Sequence, residues 1–198
     1  MKKICAVGLF IVIFLLVGCG SNKSNESTEK TPANVKVEVT AAEAQAKLKK
    51  LSGGLTKDYD DMKELTYYRA PVGEDMRVIV EPYVVVDKDY YPTLIEHLQY
   101  FGSHVIKFDT LYIKSADKFS EFHYKDTFVV SYKSEAYGGV MSNEVYDALK
   151  SACESGYVRV RMEGNAGLEE KELSKKEIDG IKAVFAIYEY LSQIKVVN

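Results

Sequence analysis

The chain has 198 residues, with 26 Lys and Arg against 29 Asp and Glu, for a net charge of −3. That balance excludes the basic footprint of a nucleic-acid binder, so no nucleic-acid partner is expected. Of its three cysteines, Cys5 and Cys19 fall in or beside an N-terminal leader, which leaves Cys153 with no partner for an internal disulfide.

Lys2 and Lys3 precede an apolar run from Ile4 to Val17. A basic start, a short apolar stretch and small residues at its end are the layout of a secretory signal. The run is shorter than the roughly 20 residues a membrane-spanning helix needs. It closes on Leu16-Val17-Gly18-Cys19, which resembles the bacterial lipobox. The resemblance implies cleavage between Gly18 and Cys19 and acylation of the Cys19 sulfur by diacylglyceryl and palmitate-type chains. Each buried CH₂ of such a chain contributes ~0.8 kcal/mol, so two or three chains hold firmly. Residues 1–18 are therefore expected to be a signal peptide. The rest is expected to sit outside the cytoplasm, anchored to the cell membrane. Losing Lys2 and Lys3 takes the charge from −3 to −5.

Residues 19–39 follow as a polar, aperiodic spacer, Gram-positive in composition, that cannot bury enough to repay ordering. Fully extended it reaches roughly 60–70 Å. Residues 40–198 read as a single α+β domain: an antiparallel β-meander packed by a long C-terminal helix, with shorter helices before and within it. Thr40 and Glu43 form a capping box for a helix bearing Ala44, Leu48 and Leu51, stopped at Gly53-Gly54. Met76 to Val86 alternates and is β-branched, but Pro82 predicts an edge strand or a break. Gly102-Ser103 predicts a type II′ hairpin between Leu94–Phe101 and His104–Lys114. That register sets Phe101 opposite His104, His97 opposite Phe108 and Glu96 opposite Asp109. Lys118–Tyr124 and Thr127–Tyr132 continue the meander. Ser142 caps a helix that ends at Gly156, and Tyr157 to Glu163 alternates with Val158, Val160 and Met162 inward. Ser174 and Glu177 form a second capping box. It opens the longest helix, whose stripe of Ile178, Ile181, Phe185, Tyr188 and Leu191 should lie on the sheet.

The opening Tyr59-Asp60-Asp61-Met62-Lys63-Glu64-Leu65-Thr66-Tyr67-Tyr68 resembles β-rich domains of bacterial lipoproteins and phage-associated proteins of unknown function. Tyr100 to Phe108 and Val158 to Gly164 are similar to later strands of that group, over residues 59 to 165. Glu64 stands where the group has Gly, and Tyr67 and Val105 where Trp is usual. The resemblance implies a fold and a localisation, and no activity.

Candidate chemistry is sparse. His97 and His104 lie about 13 Å apart in the expected hairpin, too far to share an ion, so no metal and no cofactor are expected. Glu96 and Asp109, facing each other, read either as an acid/base pair or as a solvated face screened by Lys107. Cys153 reads as a small buried apolar residue on a helix. The chain has 15 Tyr and no Trp. Tyr67, Tyr68, Tyr83, Tyr90 and Tyr91 crowd together as a candidate binding surface, since tyrosine offers an apolar body with a polar tip. Gly164 to Gly167 lacks a phosphate-loop lysine, and no nucleophile elbow or metalloprotease motif occurs. No catalytic residue is assigned. The leading expectation is a membrane-anchored binding or interaction module for a protein or envelope polymer. The alternatives are a small envelope hydrolase using Glu96 and Asp109, or an accessory lipoprotein docking through a sheet edge near Pro82.

Overall fold

The computed structural model describes residues 36–197. The expected signal peptide, Cys19 and most of the expected spacer lie outside the described residues. The elements run β1 (Val37–Thr40), α1 (Ala41–Leu51), β2 (Thr56–Asp60), β3 (Leu65–Arg69), β4 (Val78–Val86), β5 (Pro92–Phe101), β6 (Phe108–Lys114) and β7 (Phe119–His123). They continue with β8 (Phe128–Ser131), β9 (Ser134–Val140), α2 (Asn143–Ser155), β10 (Arg159–Gly164), β11 (Gly167–Glu172), α3 (Lys175–Gln193) and β12 (Ile194–Val197). The architecture is α+β with a long C-terminal helix, as the sequence indicates, and its strands outweigh its helices.

Local signals set the helices. Thr40 Oγ1 accepts from Glu43 N at 3.3 Å, and Glu43 Oε2 accepts from Thr40 N at 2.8 Å. The same reciprocal box joins Ser174 and Glu177, and Gly156 closes α2 in the left-handed region at φ 78°. These caps satisfy donors and acceptors that the helix ends would leave unpaired. The folded unit starts before the expected boundary at residue 40. Val37 and Val39 alternate in β1, which pairs in parallel with β12.

The strands form a six-stranded sheet in the order β2-β3-β4-β5-β9-β8, a four-stranded sheet β11-β10-β6-β7, and the pair β1-β12. Even-numbered residues of β4 and β5 point inward: Val78, Val80, Val84, Leu94 and Leu98 are buried. α3 lies on β3, β4 and β5, and α2 packs on α3 and β6. Val158, Val160 and Met162 are fully buried, as their alternation requires. Cys153 is sealed in the same core, and burial pushes its thiol up to about 12.

Three expectations about strand neighbours are corrected. β4 is central, with β3 and β5 on its two sides. Phe101 N donates to Arg77 O, which sets odd residues of β4 against β5 and even residues toward β3. The β3 ladder ends at Arg69 opposite Tyr83, so Pro82 sits where no donor is needed. From Pro82 back to Val78, β4 has no β3 partner, so the break that the proline predicts falls in this ladder.

Gly102-Ser103 does not make a hairpin, because β4 and β9 occupy both sides of β5. The chain crosses there to the second sheet. Glu135 of β9 fixes the crossing: its carboxylate accepts from Lys107 N at 2.8 Å, Phe108 N at 2.9 Å and Ile106 N. Glu96 therefore pairs with Pro82 and Gly139, not with Asp109.

The meander also breaks after β7, since β8 returns to the first sheet beside β9. β9 and β11 carry no strand signal in the sequence. Gly138-Gly139 imitates a turn, and β11 reads Gly-Leu-Glu-Glu-Lys-Glu with little apolar content. β11 pairs with β10 along its whole length, and Lys171 adds a buried anchor. Its ammonium, buried with the residue 7% exposed, donates to Glu177 Oε1 at 2.7 Å, Asp75 O at 2.6 Å and Val78 O at 3.2 Å. Glu177 accepts in turn from Gly73 N at 3.0 Å and Ser174 N at 2.9 Å.

Candidate functional site

β8 begins only at Phe128, and the chain before it leaves to join β7 in the other sheet. Where the two sheets part, a cleft of about 500 Å³ opens between residues 121–126 and residues 137–145. Glu96 lies in its wall, on the inward face of β5 between Leu94 and Leu98. It is only 3% exposed.

Tyr124 Oη donates to Glu96 Oε1 at 2.6 Å. Tyr124 is held by its own N–H on Asp109 O at 2.7 Å and by the Tyr137 ring, 4.5 Å away centre to centre. Among the described residues Glu96 Oε2 has no hydrogen-bond partner and the carboxylate no paired cation, and since no buried side-chain oxygen is left unpaired, Oε2 reaches the cleft. Burial, only partly opposed by the Tyr124 hydrogen bond, pushes the carboxyl from 4.5 up to about 7. Burial first, and then the Glu96 carboxylate, pushes the Tyr124 phenol far above its ordinary range. Tyr137 is raised by burial and by Glu96 and Asp126.

The rest of the cleft is acidic and aromatic. Glu96, Glu121, Asp126 and Glu144 line it against one lysine, Lys125, with His123 beside them. His123 Nε2 stands 3.2 Å from Glu121 and its Nδ1 3.2 Å from Thr110 Oγ1. Phe122, Tyr137, Val140 and Val145 supply apolar walls. A perturbed carboxyl in a cleft makes a candidate functional site. A largely buried carboxylate whose free oxygen faces the cleft, with three more carboxylates around it, favours a positively charged group.

The five tyrosines singled out in the sequence do not converge. Tyr67 and Tyr83 pair on the outer face with ring centres 6.3 Å apart, and the Arg69 guanidinium lies 4.2 Å from Tyr83 and 5.3 Å from Tyr67. Tyr68 points the other way and is buried. Tyr68 and Tyr90 line a larger cleft of about 640 Å³ beside α1. Its ionic groups are exposed, as in the Lys88–Glu64 pair, and it holds no buried charge. Tyr90 has φ 65° in the turn organised by Asp87, and Tyr91 is exposed next to Lys36.

His97 binds Glu81 at 3.0 Å and His104 binds Ser103 at 2.9 Å. Among the described residues no three His, Cys, Asp or Glu side chains gather as metal ligands. Asp109 lies outside the Glu96 cleft. Gly18 and Cys19 fall outside the described residues.

The sequence singles out Glu96, as an acid/base partner of Asp109 or as part of a solvated face, but not its inward cleft. Its parity with Leu94, Leu98 and Tyr100 is the signal that finds it. Comparison with known proteins finds no matching family model, no similar curated protein and no similar solved structure.

Proposed function

We propose that this protein is an extracytoplasmic binding module, held to the cell membrane by a diacylglyceryl group on Cys19, that takes a cationic group in the Glu96 cleft. The anchor is supported by Leu16-Val17-Gly18-Cys19 and the polar spacer after it. The binding reading rests on one observation: a carboxylate only 3% exposed, with an unpartnered oxygen and no cation, on a cleft rimmed by three further acids. An ammonium or guanidinium would supply the missing partner, and Tyr137 would offer it an aromatic face.

Calorimetric titration of the full chain in detergent with agmatine tests this. Saturable binding is expected, at least tenfold weaker in Glu96→Gln. Affinity should rise from pH 6 to pH 8, as Glu96 ionises. Equal binding by the Glu96→Gln protein overturns the reading of the cleft. Mass spectrometry of the natural product is expected to find an N-terminal acylated Cys19. An uncut chain without fatty acid overturns the anchor.

A further inference from the structure

Hydrogen-bond parity along β9 shows which of its backbone groups are in use. Met141 N donates to Leu94 O, and Gly102 N donates to Lys133 O. In the β5–β9 register these bonds turn the odd-numbered residues of β9 toward β5 and the even-numbered ones outward. On the outward side β8 covers only Ser134 to Ala136. The N–H and C=O groups of Gly138 and Val140 lie beyond its end, and no ladder or hydrogen bond among the described residues occupies them. The Val140 side chain is 69% exposed. This free edge runs along the Glu96 cleft, because the cleft exists where the chain before β8 departs from β9.

We propose that the ligand is an extended peptide segment that adds as a strand to β9 at Gly138 and Val140 and turns one lysine or arginine toward Glu96. The proposal rests on the cation-binding reading above and names its ligand class. An uncovered strand edge is a template for main-chain pairing, with side-chain pockets supplying selectivity. The register places the basic residue. Gly139 is directly opposite Glu96, so a peptide residue opposite Gly139 projects on the same face as Glu96. It lies two strand spacings, or about 10 Å, from Glu96 between Cα atoms, which a lysine and a glutamate side chain span together. A Cβ at Gly139 would stand 2.6 Å from Tyr137 Oη, so the tyrosine fills the space over the glycine and the incoming cation would reach Glu96 past the face of its ring. The acidic lining selects the sign of the charge, since Glu121, Asp126 and Glu144 would repel an acidic segment.

The test uses fluorescence anisotropy on the full chain in detergent. The probe is a fluorescein-labelled, amide-capped Thr-Val-Lys-Val-Thr peptide, compared with the same peptide N-methylated at both valines and with agmatine as competitor. The unmodified peptide is expected to bind at least tenfold tighter than agmatine, and N-methylation to remove that gain without altering the protein. Equal affinity of the methylated and unmodified peptides overturns the strand-addition proposal while leaving the cation reading intact. Failure of agmatine to bind, with Glu96→Gln indistinguishable from wild type, overturns the cation reading and this proposal with it. A dimer in sedimentation that the peptide cannot dissociate assigns the edge to a second copy and also overturns it.

Discussion

Replacing Lys171 by methionine is expected to cost about 3–5 kcal/mol of folding stability, the range for removing one partner of a buried ion pair. The side chains of Lys171 and Glu177 are 5% and 7% exposed. Burial alone would push the Glu177 carboxyl up. The Lys171 ammonium and the Ser174 donors outweigh it and hold the carboxyl below its ordinary value. Methionine fills much of the lysine stem's volume but leaves that charge without its cation, and frees the carbonyls of Asp75 and Val78. Because the folded-state value of Glu177 is depressed, its contribution is present above about pH 4.5 and is lost as pH falls through the folded value. The mutant deficit should therefore be greatest near neutrality and shrink toward pH 4. Urea denaturation at pH 7 and pH 4 measures both. A deficit under about 1 kcal/mol at pH 7 would show that water reaches the pair, against the burial described.

The second large effect has the opposite sign. Glu96→Gln is expected to stabilise the ligand-free protein by about 3 kcal/mol at pH 8, taking 1.36 kcal/mol per pKa unit over the rise from 4.5 to about 7. Here the folded-state value is raised, so the native protein holds its proton longer than the unfolded chain. The contribution is fully present below about pH 4.5, declines as pH rises, and is gone above about pH 7. Glutamine keeps an oxygen for the Tyr124 hydroxyl and cannot ionise. The wild type and the variant should then match near pH 4.5, separate up to about pH 7 and run level to pH 8. Parallel stability curves would mean that Glu96 is solvated in solution. A site that costs stability until a ligand arrives is one of the places where local rules fail for functional reasons.

Much of the fold was legible because caps and alternation are local. Both capping boxes, the glycine after α2 and the inward face of β10 follow from residues within a few positions of one another. Strand neighbours are not local. Alternation in Leu94 to Phe101 fixes which side chains point together but is silent on which strand lies alongside. The Gly102-Ser103 turn signal therefore suggested β6 as the partner, where β9 supplies it. β11 is hard to read because its ladder with β10 and the tertiary hydrogen bonds from Lys171, rather than apolar content, hold it in place. The same limit hid the site. A glutamate in a strand reads as solvated until the second sheet is known to bring Tyr124 over it.

The pairing of β1 with β12 has a mechanical meaning. The two strands run in the same direction over four facing positions, from Val37 opposite Ile194 to Thr40 opposite Val197. Tension applied between Lys36 and the C-terminal end of β12 pulls β1 lengthwise past its neighbour, so every rung of that short ladder bears the load at once. A pull across the ladder would peel the rungs one by one. The entry point of the domain is thus wired in shear, and an optical-trap pull from the N-terminal side should meet its main resistance there before α1 gives way.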